Sequence, residues 1–375
     1  MLKQDKRTLY RPNNNYIQNI MDIHFDPKFG TPYWLEREKR LGVNVRNMVK
    51  DLEDFRHFFS FKSLEEQIVY EKDLRKIPLE NFIPLKIRED KTRKIWYSQT
   101  GGTTGLPKHG CWDSEYWKRV LDFSNEFLDL HQVPYNTNWL FMGPMGPHTT
   151  GRLVVDIAEN RGGGCFTIDL DPRFVKIAQK EKDLANASER YIQHIWQQAE
   201  TILKYQNIEV LFATSRLLEM ASEYIDLNLF KNIKAIVHAG TSLNAQTNQL
   251  IREELFPNVR LIGMYGTSTT GISYQSTDLP SRPYEVVYIP SNPFIHIEIV
   301  DEKGKLVNYG ELGNLSTYRF TEDYLIPGFW ERDKGIRIAP EGQLADHYSW
   351  DWIGSVYSPM FSKNEEGDFE VEGVY

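Results

Sequence analysis

Nine consecutive residues, Thr100-Gly101-Gly102-Thr103-Thr104-Gly105-Leu106-Pro107-Lys108, combine three glycines, three threonines and a terminal lysine. Glycine lets a backbone turn sharply and bring its N–H groups towards an anion. The threonines add hydroxyl donors, Lys108 adds a cation, and Pro107 stiffens the exit. Such a cradle suits a polyphosphate. No G-K-[ST] opens the following helix, so the loop is not of the Walker type. The plain alternative is a hairpin turn built from small residues.

Further groups able to do chemistry lie downstream. His148 closes Gly143-Pro144-Met145-Gly146-Pro147-His148 and reads either as a gate at a pocket mouth or as a loop histidine with a local partner. Arg152 follows four residues later, placed to reach a carboxylate or to serve as a structural ion-pair partner. Gly162-Gly163-Gly164 leaves room for a wide ligand or for close backbone packing. Cys165 and Cys111, the two cysteines of the chain, read as inert buried thiols before acyl acceptors.

The elements that must position these groups follow from periodicity. A short strand over 94–98 runs into the Gly/Thr loop, and Asp113-Ser114 caps a helix over 115–130. From Trp139, strands over 139–142, 165–168, 210–213, 235–238 and 259–264 alternate with helices over 149–160, 189–204, 215–225 and 245–255. That order predicts a mostly parallel sheet covered by helices, an α/β fold. Strands over 286–289, 295–300 and 313–318 predict a small antiparallel β region, with a boundary near residue 280. The expected division is an α/β core over 1–280 and a small β subdomain with an acidic tail over 281–375. Residues 1–30 read as irregular, with helices beginning near Tyr33.

The chain has 375 residues, 41% of them hydrophobic and 26% charged, enough for two or three packed subdomains. A formal charge of −8 opposes a polyanionic partner, so nucleic acid is not expected. Two cysteines exclude a disulfide framework and a Cys-rich zinc site. No apolar stretch reaches the roughly 20 residues of a membrane span. The reading is a soluble, cytoplasmic protein.

The loop's order, [ST]-x-G-T-T-G-x-P-K, resembles the phosphate loop of the adenylate-forming superfamily: acyl-CoA ligases, peptide-synthetase adenylation domains and luciferases. Later segments resemble that superfamily in the same order. His238-Ala239-Gly240-Thr241-Ser242-Leu243 resembles the G-G-x-x-L turn beside adenine, and Gly263-Met264-Tyr265-Gly266-Thr267-Ser268 the Y-G-x-T segment. Gly310-Glu311-Leu312 resembles the G-E-L element, and Asp333 stands at the ribose-binding aspartate. Trp350-Asp351-Trp352-Ile353-Gly354 resembles the hinge that ends the large N-terminal domain. The branch is closest to phenylacetate–CoA ligase-like proteins, and the Phe29-Gly30-Thr31-Pro32-Tyr33-Trp34 opening resembles compact adenylating proteins that modify phenazine antibiotics.

The resemblance implies ATP as cosubstrate and a small carboxylic acid, aromatic or phenazine-type, activated as acyl-adenylate. It implies Lys108, Thr104 and His148 as catalytic. Thr100, Gly101, Gly102, Thr103, Gly105, Ala239, Gly240, Thr241, Tyr265, Gly266, Thr267 and Asp333 would hold nucleotide. Phe141, Met142, Arg152, Gly163, Met264 and Ser268 are the candidates for the acid pocket, with core packing the default for Phe141, Met142 and Met264. Three departures stand out. Thr269 replaces the glutamate that carries Mg²⁺, and a hydroxyl is a poor ligand for a hard dication. No arginine precedes Asp351. The 24 residues after Asp351 leave no place for the usual C-terminal domain with its catalytic lysine and thiol-transfer role. A slow enzyme handing its product to a reductase or transferase is expected, and the rival reading is an impaired nucleotide- or carboxylate-binding protein. Acyl transfer to a protein thiol ranks lowest, since no cysteine lies near the C-terminus.

Overall fold

A computed structural model describes residues 14–61, 63–101, 106–180, 186–240, 243–267 and 269–358. Gly102, Thr103, Thr104, Gly105, Thr241 and Ser268 lie outside these described residues. The chain opens with helices α1 Asn14–His24, α2 Pro32–Leu41, α3 Val45–Met48, α4 Leu52–Phe59, α5 Leu64–Lys76 and α6 Leu85–Glu89. Strands β1 Ile95–Gln99 and β2 His109–Asp113 pair antiparallel, and α7 Ser114–Leu130 follows at once. The Asp113 side chain accepts from the Tyr116 amide and satisfies one free N–H of α7.

The rest alternates strand and helix: β3 Trp139–Gly143, α8 Thr149–Asn160, β4 Cys165–Asp169, α9 Pro172–Lys180, α10 Ala187–Tyr205 and β5 Val210–Thr214. Next come α11 Ser215–Tyr224, β6 Ala235–Ala239, α12 Ala245–Leu250 and β7 Arg260–Thr267. Then β8 Gly271–Gln275, β9 Val287–Pro290, β10 Ile295–Val300, β11 Leu312–Phe320, β12 Leu325–Ile338 and β13 Trp352–Tyr357 complete the fold. All but β1 and β2 form one 11-stranded sheet in the order β10-β11-β12-β13-β9-β8-β7-β6-β5-β3-β4. Pairing is parallel from β4 to β7 and antiparallel from β7 to β10. The class is the expected α/β one. Residue 280 falls between β8 and β9, neighbours in the continuous sheet.

Apolar side chains on the two faces of the parallel half feed two cores. One unites Phe141, Phe212 and Val237 with α7 and α8. The other unites Leu140, Met142, Leu211 and Ile236 with α10 and α11. A third packs the N-terminal helices, through Met21, Trp34, Phe55 and Phe59, against Phe320, Tyr324 and Phe329. α1 was not expected. Its Ile17, Ile20 and Met21 lie at helical spacing under an asparagine-rich opening and bury against this third core.

Candidate functional site

The C-terminal ends of the parallel strands and the near end of the antiparallel half enclose a cavity of about 460 Å³. Ligands in open α/β sheets collect at such strand ends. On one side stands the β1–β2 hairpin. The Thr100 amide donates to the Lys108 carbonyl at 3.0 Å, and the Lys108 amide donates to Thr100 Oγ1 at 3.0 Å, closing the neck of the glycine loop. The Gln99 amide donates to the Pro147 carbonyl at 2.8 Å and ties the hairpin to the entry of α8. Thr100, Gly101, Leu106 and Lys108 all line the cavity. The hairpin alternative holds for the flanks: β1 and β2 form a two-stranded hairpin whose described ends, Thr100, Gly101 and Lys108, border the cavity. Lys108 Nζ sits 4.1 Å from the centre of the Phe329 ring, an attraction that parks the ammonium at that wall.

A further wall comes from β7 and β12. Tyr265 donates its hydroxyl to Asp333 Oδ2 at 2.9 Å, and Ser358 donates to Asp333 Oδ1. Burial, then the nearby carboxylates, hold the Tyr265 phenol well above its ordinary pKa, so it stays a donor. A Cβ on Gly266 would meet the Gly271 carbonyl oxygen at 2.2 Å, so only glycine permits this close turn between β7 and β8. Asp333 arrives by a bulge. Ser316 pairs with Trp330 and Asn314 with Lys334, so a step of two along β11 meets a step of four along β12. The unpaired stretch lets Glu331, Arg332 and Asp333 all border the cavity.

His148, Ala239, Gly240, Met264, Thr267 and Thr269 line the same space. Burial, reinforced by Arg173, lowers the His148 pKa, leaving a neutral imidazole at pH 7. Thr269 is buried; its Oγ1 lies 3.1 Å from Thr267 Oγ1, and its carbonyl accepts from Arg319 Nη1 at 2.9 Å. Arg319 is itself fully buried, clasped by both Asp323 oxygens at 3.0 and 2.9 Å and bordered by the Trp112, Tyr116 and Tyr324 rings.

Four expected pocket residues lie elsewhere. Phe141 is fully buried one layer beneath Phe212, its ring 5.1 Å away, and it is Phe212 that reaches the cavity. Met142 points to the opposite core, because successive strand residues face opposite sides. Arg152 lies 3.9 Å over the Trp96 ring and 3.5 Å from Asp156. Gly163 serves close packing at the far end of β3, where a Cβ would meet the Thr137 carbonyl oxygen at 1.7 Å. Burial pushes the Cys165 thiol up to about 12 and holds the Cys111 thiol well above its ordinary value, which disfavours a thiolate for acyl transfer at either. Asp351 is held by Arg337 Nε at 2.7 Å and by the Tyr309 hydroxyl at 2.8 Å.

Glu71, Arg75 and Glu331 line the cavity without having been singled out in sequence. Arg75 Nη2 donates to Glu71 Oε2 at 2.9 Å, one helical turn apart on α5. On its own that pair reads as an ordinary helix-surface contact.

The fold is shared with a solved acyl-CoA ligase. Among solved structures, 2-hydroxyisobutyryl-CoA ligase with 2-HIB-AMP and CoA in the thioesterification state matches with a TM-score of 0.68 and 13% identity, over 96% of this chain and 71% of that one. The same ligase in the postadenylation state with 2-HIB-AMP gives 0.66 at 11% identity, over 99% and 74%. At these identities the likeness establishes the fold. No protein-family model and no curated protein matches the chain.

Proposed function

We propose that the chain binds ATP in this cavity and joins its AMP portion to a carboxylic acid, releasing pyrophosphate. One observation carries the reading: a single cavity gathers the neck of the glycine loop, with Lys108, and the Tyr265–Asp333 pair. The loop and Lys108 take the β- and γ-phosphates, with Gly102, Thr103, Thr104 and Gly105 supplying donors. Ala239, Gly240, Thr241, Tyr265 and Gly266 flank the base, and Asp333 accepts from the ribose hydroxyls through its remaining lone pairs. The acid enters beside His148, towards Leu153, Phe212, Met264 and Ile272, walls that favour an apolar, aromatic acid of the phenazine type. With Arg152 turned away, recognition of the tail falls to apolar surface and to the hydroxyls of Thr149 and Thr214.

The reaction is an in-line attack of the carboxylate on the α-phosphorus. This chain's residues supply orientation and neutralise charge, and neutral His148 brings no repulsion or competing ion pair. A divalent cation would offset phosphate charge. Thr269, engaged with Thr267 and Arg319, fits that ion poorly, and no cluster of three metal-ligating side chains occurs among the described residues. We place the chain with the phenylacetate–CoA ligase-like branch, its product passing to a reductase or transferase. Exchange of labelled pyrophosphate into ATP, run with a panel of aryl acids, tests the proposal. Absence of exchange with every acid, together with no ATP binding by calorimetry, sinks it. Tight ATP or acid binding without exchange selects the second reading, a binding protein, which the locked Thr269 favours.

A further inference from the structure

The cavity holds one acidic group with no local purpose. Glu331 Oε1 is sealed from solvent and lacks a hydrogen-bond partner among the described residues. A buried acceptor left unpaired is costly, and a carboxylate more so. Neighbouring acids are engaged: Asp333 by Tyr265 and Ser358, Glu71 by Arg75. The charged groups acting on Glu331 are Lys108 from β2's approach, Asp333 and Arg332 from β12, and Glu71 from α5. Two of these are acids, and Lys108 rests on the Phe329 ring. A sealed carboxyl oxygen without a donor gains from an incoming cation.

From this geometry, and resting on the nucleotide reading above, we infer that Glu331 supplies the carboxylate through which the cavity takes up a divalent cation together with a nucleotide's polyphosphate. Magnesium and manganese need little more: one or two carboxylates, phosphate oxygens and water complete the shell. The bulge matters here, since it frees residues 331–333 from the β11 ladder and lets the carboxyl turn towards a ligand. In this chain the acid would come from β12 and not from the β7–β8 turn that carries Thr269.

Manganese binding, followed by calorimetry and by the ion's paramagnetic resonance, tests this with a non-hydrolysable ATP analogue present. Glu331→Gln should weaken Mn²⁺ by about tenfold or more, the scale on which metal sites respond to loss of one supporting group. The analogue alone, in a chelator, should bind Glu331→Gln no more weakly than the parent chain. Thr269→Val should shift Mn²⁺ affinity by less than about twofold, the ligand set being otherwise intact. Unchanged Mn²⁺ affinity in a folded Glu331→Gln overturns the inference, as does a loss confined to Thr269→Val. Should the parent chain bind no analogue at all, the nucleotide reading falls and this inference falls with it. An analogue that binds with Mn²⁺ indifferent to Glu331 removes this inference alone.

Discussion

The parallel and antiparallel halves of the sheet give the cavity different things. From β5, β6 and β7 come Phe212, Thr214, Ala239, Gly240 and Met264: shape, backbone and neutral hydroxyls. From β12 come Glu331 and Asp333, from α5 come Glu71 and Arg75, and Lys108 stands just before β2. Parallel strands buried on both faces have no room for unpaired charge. An antiparallel strand with an interrupted ladder does. Charge in this fold therefore enters where regular pairing stops.

Breaking the buried support of the antiparallel side should have the largest effect. Arg319→Leu leaves Asp323 charged and enclosed, and should cost about 3–5 kcal/mol in denaturant unfolding. An unchanged midpoint would show that Asp323 finds another partner, the Asp113 amide that already donates to it at 2.9 Å being one. Next comes Lys108→Ala. It should lower pyrophosphate exchange by about 10²–10³-fold, the loss typical of one charge-stabilising donor. A small change would move phosphate binding away from the hairpin.

Glu331 gives a pH signature. Its folded pKa of about 7 exceeds the ordinary glutamate value, so the folded state holds the proton longer. Below pH 4 both states are protonated and nothing is lost. As pH rises through 4.5 to 7 the unfolded chain ionises first, and stability falls by about 3 kcal/mol, then stays level. Glu331→Gln should abolish that loss, so it should stabilise the apo protein at pH 8 and not at pH 4. Equal melting shifts at both values would contradict the buried, unpaired state. Gly266→Ala, where β7 runs antiparallel to β8, should cost about 1–3 kcal/mol through overpacking against Gly271, with nucleotide affinity falling too. Smallest of all, Arg152→Ala should remove its packing on Trp96 for about 0.5–1 kcal/mol and leave acid affinity unchanged. A change in acid affinity would return Arg152 to the pocket.

The two halves also differed in legibility. Strands β3 to β7 are continuous apolar runs with helices between, and Thr149–Asn160 matches its sequence reading to the residue. The β12 strand was hidden. Its run contains Pro327, Gly328 and three charges at 331–333, because two bulges interrupt its pairing and Gly328 takes a φ of +65°. β2 was hidden by being the return of a hairpin. Within the site, glycine turns and Asp333 stood out by order along the chain, whereas Glu71, Arg75 and Glu331 became visible only once α5 and β12 met. Phe141 and Met142 were misplaced for a simpler reason: being on the right strand does not tell which layer a side chain occupies.

The extra residues in β12 separate survival of the architecture from survival of the chemistry. Deleting one residue between Trp330 and Lys334 leaves the Asn314 and Ser316 partners available to the ladder, yet removes or redirects the carboxylates of Glu331 and Asp333. A lineage carrying this fold could thus fall silent through a single codon loss and still make a folded protein.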